Sequence, residues 1–136
     1  MSIKKYKNQT IKGAKLRRMN DETYTLRRKA IEIIYELKAE LRSIDKTLPR
    51  VEVRIVDTEP SVTACAYAYL GQNIVHIATK WAKHGTAAEF YHIVLHEIVH
   101  AVTGFRHDNN CYLMHPNLPT NPKPEKSLEA FIKYFN

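Results

Sequence analysis

The run from Thr86 to Gly104 (TAAEFYHIVLHEIVHAVTG) constrains this chain more than any other stretch, because both ends of a helix are written into it. Thr86 with Glu89 three residues later makes a capping box, which satisfies two of the amide donors left open at a helix start. Gly104 stands where a helix commonly ends in a left-handed residue. Between them, Phe90, Val94, Ile98, Ala101 and Val102 recur at helical spacing and predict an inward face. His92, His96, His100 and Thr103 fall on the opposite side, with Glu89 near it. The spacing predicts a helix over 87–103, packed below and open above.

The histidines on that open side carry chemistry. His96 and His100, four residues apart, rise side by side on one helix face, so both imidazoles can reach one metal ion. Glu97 lies about a quarter-turn away, close enough to handle a water without becoming a ligand. Past Gly104 the chain can swing back, which makes His107 the leading candidate for a third ligand. Three protein ligands with one open position is the zinc arrangement suited to hydrolysis. Zinc acidifies its bound water to a pKa of about 7, and a neighbouring carboxylate then takes the proton and passes it to the leaving amine. The expected roles are His96, His100 and His107 as ligands of Zn2+ and Glu97 as general base.

The other elements read as scaffold. Leu26, Ala30, Ile33, Leu37, Leu41 and Ile44 form one apolar stripe, which predicts a long amphipathic helix over about 22–45 that Pro49 stops. Residues 51–57 (VEVRIVD) alternate as a half-buried strand does. Residues 62–70 and 74–79 read as two further strands joined through Gly71-Gln72-Asn73 as a hairpin. His76, on the second of these, has no spacing relation to the motif and reads as a surface or half-buried residue. Four prolines in 116–124 exclude regular structure there. Leu128, Phe131, Ile132 and Phe135 predict a short closing helix over 127–135.

HEIVHAVTGFRH followed by LMHP resembles the metzincin metalloproteases, whose pattern is HExxHxxGxxH and then a tight turn carrying a methionine under the zinc. Leu113-Met114-His115-Pro116 is similar to the Met-turn of the matrixin-like members. The resemblance covers about 20 residues, and the order of elements extends it more weakly over 22–135. It implies a small α+β zincin: N-terminal helix, small twisted sheet with an edge hairpin, active-site helix, Met-turn and C-terminal helix. The implied activity is a zinc endopeptidase acting on an extended peptide that pairs with one strand of the 62–79 hairpin. The chain departs from the pattern in its spacing, HExxHxxxGxxH. Arg106, which has no lone pair for a metal, occupies the position expected for histidine, and the segment from His107 to Met114 is about one residue shorter than the usual matrixin linker. SprT-like DNA-associated proteases are a second resemblance, since some carry glycine four residues after the second histidine, as Gly104 is here, and a short His-Asp like His107-Asp108. Both resemblances imply the same three ligands and the same base.

Three neighbours of the motif have open roles, and a fourth residue lies one turn away. Asp108 could orient a ligand histidine or face solvent. Cys111 could bind zinc, which would close the site and make it structural, or pack as a thiol in the loop. His115 could stabilise an oxyanion from the cleft wall. His92, one turn before His96, could touch the site or sit at its rim.

Composition sets the remaining bounds. With 136 residues, 44% hydrophobic and 26% charged, the chain is expected to fold as one globular domain over 21–136. No apolar run approaches membrane-spanning length, and the start lacks the apolar core of a secretory signal, so the expected compartment is the cytoplasm. Cys65 and Cys111 are expected to be free thiols. Of 21 Lys and Arg residues, ten fall between Lys4 and Lys29, and the net charge is +7. Residues 1–20 therefore read as a basic arm, which could meet nucleic acid or an acidic partner. This charge also supports an alternative to the enzyme: a nucleic-acid- or protein-binding module whose zinc is structural. Against it, Glu97 would then have no reason to be glutamate, and no basic surface interleaved with aromatics is expected outside the arm.

Overall fold

The computed structural model describes residues 19–56, 66–79 and 85–135. The basic arm, apart from its last two positions, and Cys65 lie outside them. The described chain is a small α+β domain of three helices and a three-stranded mixed sheet. Helix α1 spans Met19–Arg42, strands β1, β2 and β3 span Glu52–Val56, Ala66–Ala68 and Ile74–Ala78, and helices α2 and α3 span Ala87–Thr103 and Pro124–Lys133.

The apolar stripe of α1 is buried as expected from Leu26 to Leu41, but Ile44 is exposed. The helix ends one turn early in a Schellman pairing: Lys46 N donates to Leu41 O at 2.8 Å and Asp45 N to Arg42 O at 3.0 Å, with Asp45 left-handed at φ 58°. An aspartate tolerates that conformation better than most residues, so the chain turns before Pro49 is reached.

β3 is the central strand, parallel to β1 and antiparallel to β2. Val53 pairs with Val75, Ile55 with Ile77, and Ala66 and Ala68 with Ile77 and Val75. These residues share the face against which α1 and α2 pack. β2 is an edge strand and covers only 66–68 of the expected 62–70; residues 62–65 lie outside the description. On the other sheet face Arg54, His76 and Tyr67 are in register. His76 is buried rather than half-exposed, because Tyr67 stacks on it at 4.4 Å and Tyr69 meets it edge-on at 5.9 Å.

The β2–β3 turn docks on the end of α2. Gly71 N donates to His100 O and Asn73 N to Ala101 O, both at 3.1 Å. Two carbonyls of the last helical turn are thus bonded to the β2–β3 turn: Ala101 O gains a donor from outside the helix, and His100 O takes a second donor besides Gly104 N–H. This fixes the depth at which α2 carries its histidines. At the far end α3 starts at Pro124, three residues before the expected boundary. A proline suits the first helical turn because the amide it lacks would be unbonded there, so the last proline of an otherwise irregular segment begins the helix. No helix among the described residues is long and apolar enough to cross a membrane.

Candidate metal centre

Both ends of α2 are as the sequence predicts. Thr86 Oγ1 accepts from Glu89 N at 3.1 Å while Glu89 Oε1 accepts from Thr86 N at 2.9 Å. Gly104 is left-handed at φ 75° and its N–H returns to His100 O. The expectation of an open upper face does not hold. His92, His96, Glu97 and His100 are all buried, because the chain from Phe105 to His115 and helix α3 cover that side. A helix apolar on one face and polar on the other can still be enclosed when the covering segment supplies hydrogen-bond acceptors, and here it does.

His96 Nδ1 donates to Leu113 O at 2.7 Å, and His100 Nδ1 donates to Phe105 O at 2.6 Å. A carbonyl oxygen can only accept, so each Nδ1 carries the proton and each Nε2 keeps its lone pair. Those two Nε2 atoms are 3.1 Å apart. In these tautomers no proton lies between them, and two lone pairs face each other. The ring of His107 completes the group, with centroids 5.2 Å from His96 and 4.9 Å from His100, and one nitrogen of each histidine lies within 4.8 Å of the others. A cation at their common point would meet one nitrogen from each of three imidazoles, the His107 ring being the exposed member. Two nitrogens bound to one tetrahedral zinc at about 2.0–2.1 Å lie about 3.3 Å apart, close to the spacing present. The donor set therefore fits the metal, and the shifted spacing between His100 and His107 does not prevent convergence, since the left-handed Gly104 turns the chain back.

Burial reinforces the neutral state. It lowers His96 to a pKa of about 4, with further lowering from the neighbouring His100, His107 and His92 against an opposing hydrogen bond to Leu113. His100 is also lowered, mainly by burial. Glu97, the residue after His96, is pushed up to about 8 by burial. A cation beside it would favour its ionised form.

The loop after His107 is tied into a compact turn. Asp108 N donates to Met114 O at 2.9 Å, Cys111 N to Asp108 O at 3.1 Å and His115 N to Cys111 O at 3.1 Å. Leu113 and Met114 are fully buried, and Leu113 is the residue whose carbonyl holds His96. The turn thus positions the His96 ring through its main chain.

The neighbouring candidates separate clearly. The Asp108 carboxylate accepts from Asn110 N at 2.9 Å and shapes the loop. Cys111 Sγ accepts from Tyr134 Oη at 3.1 Å and from Met114 N at 3.4 Å, and it is outside the histidine group. His115 Nδ1 accepts from Asn117 N at 3.0 Å and is likewise outside the group. His92 Nδ1 bonds Ser127 Oγ at 2.6 Å, and its ring meets Tyr112 edge-on at 5.2 Å. Ser127 in turn donates to Lys123 O, so His92 anchors α3 to α2. The main-chain acceptors Leu113 and Phe105 were not legible in the sequence; residue type gives no signal for a carbonyl.

Compared with protein-family models, with curated proteins and with solved structures, the chain matches none.

Proposed function

We propose that this chain is a zinc-dependent metallopeptidase of metzincin-like type. The observation that carries the reading is the pair of facing Nε2 lone pairs on His96 and His100, each fixed by a main-chain carbonyl on its other nitrogen and joined by His107. Such imidazole-to-carbonyl bonds are the usual support of metal-binding histidines. His96, His100 and His107 would hold the zinc, which would supply an acidified water and a polarised carbonyl at an open position. Glu97, adjacent in sequence and on the same helix, takes the proton from water and delivers it to the departing amine. Among the described residues β2 has no strand partner on its outer edge, which suits an extended peptide added as a further strand.

Met114, buried and next in sequence to the carbonyl that holds His96, supports the metzincin-like variant. Gly104, four residues after His100, suits the SprT-like alternative, which shares the same ligands and base. A closed structural zinc is the weaker reading, because Cys111 Sγ already has two hydrogen-bond donors and stands apart from the histidines. The test is hydrolysis of a mixed peptide library by zinc-loaded protein. Cleavage that disappears on chelation and in Glu97→Gln with zinc retained supports the reading; cleavage that persists in Glu97→Gln contradicts the assigned base.

A further inference from the structure

Helix α1 carries a second pattern on the side away from its apolar stripe. Tyr24, Arg28, Tyr35, Lys38 and Arg42 fall on one line of three- and four-residue steps through Ile31, so they share a helix face. Tyr24 and Tyr35 are 64% and 67% exposed, a high value for rings of this size. Lys38 Nζ lies over the Tyr35 ring at 5.8 Å. The line spans about 27 Å at the rise of an α-helix. Beyond Arg42 the Schellman turn brings Lys46 back, and Lys38, Arg42 and Lys46 line one cavity of about 310 Å³. Arg28 on this line pairs with Glu32 at 3.4 Å, both well exposed, and such a pair is weak and exchangeable. Glu32, Glu36 and Glu40 run along a separate line that begins at Lys29.

This corrects the expectation that basic residues interleave with aromatics nowhere outside the arm. We propose that this face of α1 binds single-stranded nucleic acid, with phosphates at Arg28 and in the Lys38–Arg42–Lys46 cavity and bases stacked on Tyr24 and Tyr35. Exposed aromatic rings alternating with cations are the combination that holds unpaired bases and their backbone together. A purely acidic polypeptide would use the cations and leave both rings idle. Duplex DNA would hide its bases from them. The inference stands independently of the reading of the histidine cluster.

The experiment uses the full chain and fluorescence anisotropy with a labelled 20-nucleotide oligothymidine, a duplex of equal length and polyglutamate. Single-stranded DNA is expected to bind tightest. Lys38→Glu with Arg42→Glu weakens it ~10-fold or more and lowers the salt slope by roughly 1.4. Tyr24→Ala with Tyr35→Ala weakens it by about tenfold while leaving the slope unchanged. Lys126→Glu with Lys133→Glu on α3 is the charge-matched control and has a smaller effect. Lys38→Gln with Arg42→Gln replaces the reversal pair if circular dichroism shows the latter misfolded. Wild-type-like affinity in both α1 pairs overturns the proposal and leaves any binding to the basic arm. Preference for duplex or polyglutamate, an equal loss in the α3 control, or no binding by the wild type also overturns it.

Discussion

His96 Nε2 and His100 Nε2 face each other at 3.1 Å, and each ring is held there by a proton given to a main-chain carbonyl. Two lone pairs buried at contact distance repel each other, and a cation shared by both nitrogens would relieve that repulsion at the site. Filling it is therefore expected to be strongly stabilising.

Zinc at a thousandfold excess over its dissociation constant should stabilise the fold by about 4 kcal/mol. For a domain of this size that raises the thermal midpoint by roughly 15 °C. Differential scanning fluorimetry with zinc, then with excess chelator, checks this. The shift should reverse with chelator and be absent in His96→Ala.

Acid should weaken the zinc-free fold through His92. Its pKa is about 4 in the folded chain, lowered by burial from 6.5. The unfolded chain thus binds more protons, so stability is full above about pH 6.5 and falls as pH drops toward 4. The complete shift corresponds to about 3 kcal/mol. Denaturant melts at pH 7 and pH 4.5 should show a pH 7 advantage that is smaller in His92→Gln than in the wild type, the remaining slope being set by His96 and His100 against the opposing Glu97.

Glu97 acts in the opposite direction. Its pKa is about 8 in the folded zinc-free chain against an ordinary 4.5. The folded state keeps a proton that the unfolded chain releases, so stability falls as pH rises through that window. Glu97→Gln should stabilise the zinc-free protein at pH 9 by up to about 5 kcal/mol and have little effect at pH 4.5. Chemical denaturation at the two pH values measures it.

Gly104 has a local role with a distant effect. A Cβ there would meet nothing within 4 Å, so the cost of Gly104→Ala comes from φ 75° alone, about 1 kcal/mol. Gly104→Asn should cost less. If the alanine variant relaxes its backbone, Phe105 O moves from His100 Nδ1, and zinc affinity should fall with stability. Paired denaturation and zinc titration of both variants test this.

Much of the site was legible because its signals are local. Thr86, Glu89 and Gly104 marked the ends of α2 through hydrogen bonds within a turn, and the four-residue step from His96 to His100 is set by helix geometry. The β1 alternation and the 74–78 strand were readable for the same reason. The features that escaped depend on other parts of the chain. The histidine face of α2 is covered by residues 105–115 and by α3, and periodicity says nothing about what covers a polar face. His76 is buried by tyrosines across the sheet. Pro124 begins a helix although prolines mark the segment as irregular, since its place in the first turn depends on the helical residues after it. The α1 stripe from Tyr24 to Arg42 has the same spacing as the apolar stripe, and it stands out only once the buried side of the helix is known.

On the proposed function, His96, His100 and His107 together hold one zinc ion. Equilibrium dialysis of metal-stripped protein against zinc, read by elemental analysis, tests it most directly. The wild type, Cys111→Ser and His115→Ala should each bind one equivalent tightly, while His96→Ala, His100→Ala and His107→Ala each lose the tight site. Wild-type protein that binds no zinc, or His107→Ala that binds it as tightly as the wild type, would contradict the account.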